Sequence, residues 1–159
     1  MDYLWTPWRH QYIASLKNPS RCVFCIETSC EHDERDFVVF RGKSSFVILN
    51  IFPYTTGHLL VAPYAHTADF QKCTSEESAE MVELVKRCQV AQQQTYQPDG
   101  FNIGMNLGRC AGAGVEYHLH MHVVPRWIGD SNFMTVVGET RVLPENLETT
   151  FSKLRPYFS

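Results

Sequence analysis

His118, His120 and His122 alternate with Leu119, Met121 and Val123. Successive side chains on an extended strand point to opposite faces, so this spacing predicts a strand with all three imidazoles on one side. A row of imidazoles near neutral pH can supply a nucleophile, a general acid or metal ligands. Same-face neighbours on a strand lie roughly 6.6–7 Å apart, which suits two ligands on one ion better than three. The row is therefore expected to divide its labour. A strand that merely happens to be histidine-rich would have no reason to keep its apolar residues so strictly on the other face.

Two neighbouring features narrow the chemistry. The stretch from Asn106 to Gly114 is dense in small residues, with Gly108, Gly112 and Gly114 leading into the histidines. Glycines admit close approach of a ligand and positive φ, which can aim successive N–H groups at an anion. Alone, such a loop is often just a turn; running into three histidines, it describes a phosphate held beside a nucleophilic ring. Cys22 and Cys25, spaced C-x2-C, make half of a tetrahedral zinc site. His66, just after a predicted strand, and His118, at one end of the row, complete a structural site of Cys22, Cys25, His66 and His118. The alternative is a pair of ordinary reduced cysteines with no metal.

The elements that must position these groups are legible in outline. Phe37–Phe40 and Phe46–Leu49 read as a hairpin, and His58–Ala62 as a third strand stopped by Pro63. A helix is predicted from about Ser75 to Tyr96, opened by a capping box of Thr74 and Glu77. Met81, Leu84, Val85, Cys88 and Ala91 form its buried stripe, facing the core or a dimer partner. Phe101–Leu107 and Val115–Pro125 read as strands, and Pro144 as the first turn of a C-terminal helix. Early hairpins with helices inserted later predict an antiparallel α+β domain. We expect one domain over residues 1–159, with an arm of 1–36, a core of about 37–135 and a C-terminal helix of about 144–157.

Composition sets the outer bounds. The chain has 159 residues and a formal charge of −3, so binding to bulk nucleic acid or an anionic membrane is not expected. No run approaches the roughly 18 apolar residues of a membrane-spanning helix. The first residues lack a basic start followed by an apolar stretch, so no secretory signal is read there. The six cysteines then fit a reduced, cytoplasmic chain better than a disulfide framework.

The pattern of three histidines separated by apolar residues resembles the signature of the histidine-triad (HIT) superfamily of nucleotide hydrolases and transferases. Phe46–Asn50, Pro53 and Gly57–Pro63 resemble the family's nucleotide-pocket strands, and the cysteine pair is similar to the zinc site of many bacterial members. Trp5, Pro7, Trp8 and Arg9, with the run from Val124 to Met134, resemble the branch related to diadenosine tetraphosphate phosphorylases. The resemblance implies a HIT-like fold, an antiparallel sheet with a long central helix and a C-terminal helix, usually in a homodimer. It implies that His120 attacks the α-phosphorus and carries the nucleotidyl group. It places His122 beside the α-phosphate, His58 behind it, and His118 on zinc or bracing the strand. Amides near Gly112 and Gly114, with Asn106, would bind phosphate oxygens, and Asn50 the ribose. The implied substrate is a purine nucleotide or dinucleoside polyphosphate, with inorganic phosphate or water as acceptor and no organic cofactor.

The loop departs from the family pattern. Gly112 to Tyr117 is one residue longer than usual and lacks a side-chain hydroxyl where many members have one. That length brings Glu116 towards the pocket mouth, to position a second substrate or simply to face solvent. Trp5, Trp8 and Trp127 are core residues, or else line an adenine pocket or a dimer contact. His10 and His32 lie in polar, loop-like surroundings and are assigned no chemistry. Three functions compete: nucleotidyl transfer through His120, by phosphorolysis of a dinucleoside polyphosphate or hydrolysis of a phosphoramidate; nucleotide binding without turnover; and a metal enzyme with the row as ligands.

Overall fold

The computed structural model describes residues 22–27, 29–131, 135 and 143–158. The readings of Trp5, Trp8, His10 and Asn132 to Met134 lie outside the described residues. Five strands form one antiparallel sheet: β1 (Val38–Arg41), β2 (Ser45–Leu49), β3 (Leu59–Pro63), β4 (Gly100–Met105) and β5 (Met121–Arg126). Their order is β1-β2-β3-β5-β4. Every residue of β2 and β3 is buried, as expected of strands covered on both faces. The expected α+β class, with an antiparallel sheet and a long helix, is what the chain adopts.

The long helix, α1, spans Ser75–Tyr96, opens on the Thr74–Glu77 capping box and closes at Gln97 in the left-handed region. Its stripe of Met81, Leu84, Val85, Cys88 and Ala91 packs on Val47, Leu49, Leu59, Val61 and Val123 from one face of the sheet. Burying each large apolar side chain there stabilises the fold by about 1.5–3 kcal/mol. Phe46, Ile48, Leu60 and Ala62 point to the other face, where Phe24 from the N-terminal arm covers them. His118, His120 and His122 lie on this second face, the first two against Phe24 and the third opposite Leu60.

β3 runs through Pro63, which was expected to stop it, and β4 ends at Met105, two residues early; the two largest differences from expectation each have a local reason. The histidine strand begins at Met121, not Val115. β3 and β5 stay in register to the Val61–Met121 pair. Two residues further, Leu119 would face Pro63, which has no N–H to give to the ladder. The Leu119 N–H instead donates to the Thr67 carbonyl at 2.7 Å. The alternation nonetheless persists through the irregular backbone: Leu119 is in the helix-side core, and Phe24 packs on the rings of both His118 and His120. The C-terminal helix, α2 (Leu147–Leu154), starts after Pro144. Its cap is Asn146, whose side-chain oxygen accepts from the Thr149 N–H at 2.9 Å. A 3-10 turn follows at Arg155–Phe158, where Pro156 cannot continue the α ladder.

Candidate active site and metal centre

His120 is defined by what its ring must do with its proton. Its Nδ1 lies 2.9 Å from the His118 carbonyl oxygen. A carbonyl only accepts, so Nδ1 carries the hydrogen and the lone pair sits on Nε2. The ring is buried, with Phe24 packed at 4.7 Å between ring centroids. Burial lowers the pKa below the ordinary histidine value, against the opposing bond to the His118 carbonyl. The arrangement is a neutral imidazole with a bare Nε2, the form in which histidine is nucleophilic.

A second chain of hydrogen bonds fixes its neighbours. The Tyr54 backbone N–H donates to His58 Nδ1 at 3.1 Å. His58 Nε2–H is then the donor to His122 Nδ1 at 3.0 Å, which leaves the His122 hydrogen on Nε2. Asn50 supports the same tautomer: its Oδ1 accepts from the Phe52 N–H at 2.9 Å, which turns its Nδ2 towards His58 Nδ1 at 3.3 Å. The Tyr54 ring stacks on His122 at 5.6 Å and 15°. His122 therefore presents an N–H beside the bare nitrogen of His120, with the two rings 5.0 Å apart.

Both rings open onto a cleft of about 490 Å³, within the size range of small-molecule sites. Phe24, Ile48, Leu60 and Val115 make its apolar wall, and Asn50, Gly112, Gly114, His120 and His122 lie along it. The glycine loop takes positive φ at Gly108 and Gly112. The Gly112 N–H closes a turn on the Arg109 carbonyl at 3.0 Å, and the Ala113 N–H reaches Gly108 at 3.4 Å. Of the two loop glycines that line the cleft, Gly114 is the one whose amide has no hydrogen bond among the described residues. The sequence reading gave Gly112 and Gly114 equal weight; the geometry favours the second.

Other residues singled out in the sequence lie outside the cleft lining. Asn106 follows the last residue of β4 and does not line the cleft. Glu116 is half-buried and is also outside the lining. Trp127 donates its Nε1–H to the Tyr96 carbonyl at 3.3 Å, against the end of α1. His32 faces Glu27 at 3.8 Å on the surface. Sequence reasoning passed over Phe24 and Tyr54. A phenylalanine between two cysteines, in a polar arm, was the signal for the first; the second acts through its backbone and left none.

Cys22, Cys25, His66 and His118 converge, with their four donor atoms within 4.8 Å of one another. Cys22 Sγ is 3.5 Å and Cys25 Sγ 3.9 Å from His118 Nδ1, and Cys25 Sγ is 3.2 Å from His66 Nδ1. Zinc bond lengths of about 2.0–2.3 Å at tetrahedral angles put donors roughly 3.3–3.8 Å apart, so this set fits the ion. The Pro63 carbonyl takes the His118 Nε2–H at 2.8 Å, which turns the Nδ1 lone pair towards the thiols. Burial, more than its histidine neighbours, lowers the His118 pKa, so this ring too is held neutral. Arg41 secures the arm behind the cluster, donating to the Glu27 carbonyl at 2.8 Å, the Ser29 carbonyl at 3.1 Å and the Asp33 carboxylate at 2.7 Å.

The comparisons with known proteins agree with this geometry. The sequence model of the HIT domain matches residues 31–127, a span that begins after both cysteines of the Cys/His cluster. An AP-4-A phosphorylase of Mycobacterium tuberculosis is 39% identical over 157 residues, covering 94% of this chain and 80% of that protein. A zinc-bound histidine triad family protein from Mycobacterium smegmatis superposes with TM-score 0.67 at 32% identity, over 87% of this chain and 94% of that one. A hypothetical histidine triad nucleotide-binding protein from Sulfolobus tokodaii gives TM-score 0.66 at 26% identity, over 86% of this chain and 91% of its own. Sheet, alternating histidines and near-full-length similarity converge: this chain belongs to the HIT family.

Proposed function

We propose that this HIT-family enzyme processes nucleotides by carrying a nucleotidyl group on His120, with a dinucleoside polyphosphate such as diadenosine tetraphosphate as substrate. The observation that carries the reading is the pairing of the bare His120 Nε2 with the neighbouring His122 N–H. In the first step His120 Nε2 forms a bond to the α-phosphorus, and the bond from that phosphorus to the bridging oxygen breaks. His122 Nε2–H gives its proton to the departing oxygen, and the Gly114 amide faces the charge on the phosphoryl oxygens. In the second step inorganic phosphate or water attacks the same phosphorus, returns a proton to His122 and releases His120. Covalent transfer thus divides one hard displacement into two easier ones. The base lies against the apolar wall of Phe24, Ile48 and Leu60, and Asn50 meets the ribose.

The similarity to an AP-4-A phosphorylase supports phosphate as the acceptor. Assay of diadenosine tetraphosphate with and without inorganic phosphate tests this. ATP and ADP formed only when phosphate is present is the expected result. Turnover that is unchanged without phosphate contradicts it and favours hydrolysis. Binding without turnover of any nucleotide returns the chain to a regulatory role.

We further propose that Cys22, Cys25, His66 and His118 hold a structural zinc. With all four positions filled by protein, the ion supplies folding free energy and fastens the arm to the sheet. Thiolate ligands suit a reducing, cytoplasmic setting. The chain acts as a single HIT domain. We also propose that it pairs with a second copy: among the described residues β4 ends the sheet, bonded on one side to β5, with Ile103 exposed. Sedimentation at micromolar concentration is expected to give twice the chain mass.

A further inference from the structure

Gln92 lies on α1, within the helix face that packs on the sheet, and is fully buried. A side-chain amide among apolar residues is costly unless its hydrogen bonds are made. Gln92 makes two, both through Nε2: to the Gly57 carbonyl at 2.7 Å and to the Val123 carbonyl at 3.0 Å. Its Oε1 has no partner among the described residues. A methionine would fill the same volume without an orphaned oxygen, so the amide is not there for packing.

The two carbonyls are informative by position. Gly57 immediately precedes His58, and Val123 immediately follows His122. Two further contacts strap the same turn down. Thr55 Oγ1–H donates to the Pro125 carbonyl at 3.0 Å. Gly57, at φ +78°, rests so close to Tyr96 that a Cβ there would come within 2.8 Å of the ring.

We infer that Gln92 is a positioning residue for the transfer reaction, acting from the opposite side of the sheet: it holds the segments bearing His58 and His122 where the His58 Nε2–H reaches His122 Nδ1. The inference rests on the proposed role of His122 as proton donor to the leaving group. Without the clamp, only the Thr55 bond and the pairing that begins at Leu59–Val123 hold the turn at residues 54–58 to β5, and its distance is less tightly fixed. The His58–His122 bond lengthens, and His122 no longer keeps its hydrogen on Nε2 in every molecule. Chemistry slows, while the apolar wall on the other face still binds the base.

The test is Gln92→Met in the full, metal-loaded chain. Its kcat and KM are measured with diadenosine tetraphosphate and phosphate, and the imidazole tautomers are read from long-range proton–nitrogen NMR. A kcat lowered about tenfold, a KM within about twofold of the parent, and mixed tautomers at His58 and His122 are expected. Cys88→Ala, one turn earlier in the same buried stripe, is expected to lower Tm while leaving both tautomers and kcat as they were. Gln92→Glu keeps the shape but at most one donor. If Gln92→Met does not fold, it serves in its place with the same direction expected. Unchanged kcat and tautomers in the Gln92 variant overturn the inference, as does an equal response to Cys88→Ala or a change confined to KM. The tautomers are also read in a His120→Gly background, where no turnover is needed, so failure of the clamp and failure of the transfer scheme give different results.

Discussion

His118 and His120 are two residues apart and both are held neutral by burial, yet they face different chemistry. His118 gives its Nε2–H to the Pro63 carbonyl and turns Nδ1 to the thiols. His120 gives its Nδ1–H to the His118 carbonyl and leaves Nε2 for the cleft. In the proposed scheme, the choice between metal ligand and nucleophile is made by which ring nitrogen a backbone carbonyl takes, a choice that no residue type encodes. Phe24 stands between them, its ring centroid 5.4 Å from one imidazole and 4.7 Å from the other.

The strongest way to break this comparison is to remove one ring at a time. In the proposed scheme His120→Gly lowers kcat by at least about 10³-fold, the scale on which loss of a nucleophile acts. The same variant keeps its zinc, measured by metal analysis. A loss below about tenfold, roughly 1.4 kcal/mol of barrier, would remove His120 from that role. His118→Ala should do the converse, losing zinc first and activity only as the fold loosens. Chelation of the parent protein is expected to remove folding free energy, read as a fall in Tm of about 2–4 °C for each kcal/mol lost. An unchanged Tm with reversible loss of turnover would instead make the metal catalytic.

Phe24→Ala sharpens the comparison by touching both halves. Removing a buried phenylalanine costs about 3–5 kcal/mol, seen as a lower denaturant midpoint. It also opens the wall of the cleft, so KM should rise together with easier loss of zinc. A variant that loses stability with KM and metal affinity intact would show that the ring only fills space.

The smallest effect is in pH. The His120 pKa is lowered in the folded chain, while the unfolded chain keeps the ordinary value near 6.5. Above about 6.5 both states are neutral and the ring's contribution to stability is complete. As pH falls below that value, the unfolded chain takes the proton first, and stability is lost down to the folded pKa. Turnover should therefore stay level through pH 6.5 and fall only below it. Denaturant titrations at pH 7.5 and 5.5 should show a smaller drop for His120→Gln than for the parent.

Much of this was legible in the sequence, because it is carried by periodicity and spacing. The capping box at Thr74 and Glu77 set the start of α1, and the two-residue alternation set the shared face of the histidines. The C-x2-C pair with His66 and His118 located the four donor atoms that converge in the structure. What was not legible depends on backbone groups. The strand shortened because Pro63, opposite Leu119, has no N–H. The Gly112 amide was already committed to Arg109. The tautomer of His58 is set by the amide of Tyr54. A buried glutamine in an otherwise apolar helix stripe reads as an interruption until its two carbonyl partners are known.

The central claim is that a neutral ring at position 120 is bonded to phosphorus during turnover. Rapid mixing with diadenosine tetraphosphate, an alkaline quench that preserves phosphoramidates, and mass spectrometry of the peptide containing His120 test it directly. The account predicts a mass gain of one nucleoside monophosphate on that ring, absent in His120→Gly. An unmodified peptide throughout rapid consumption of substrate would contradict it.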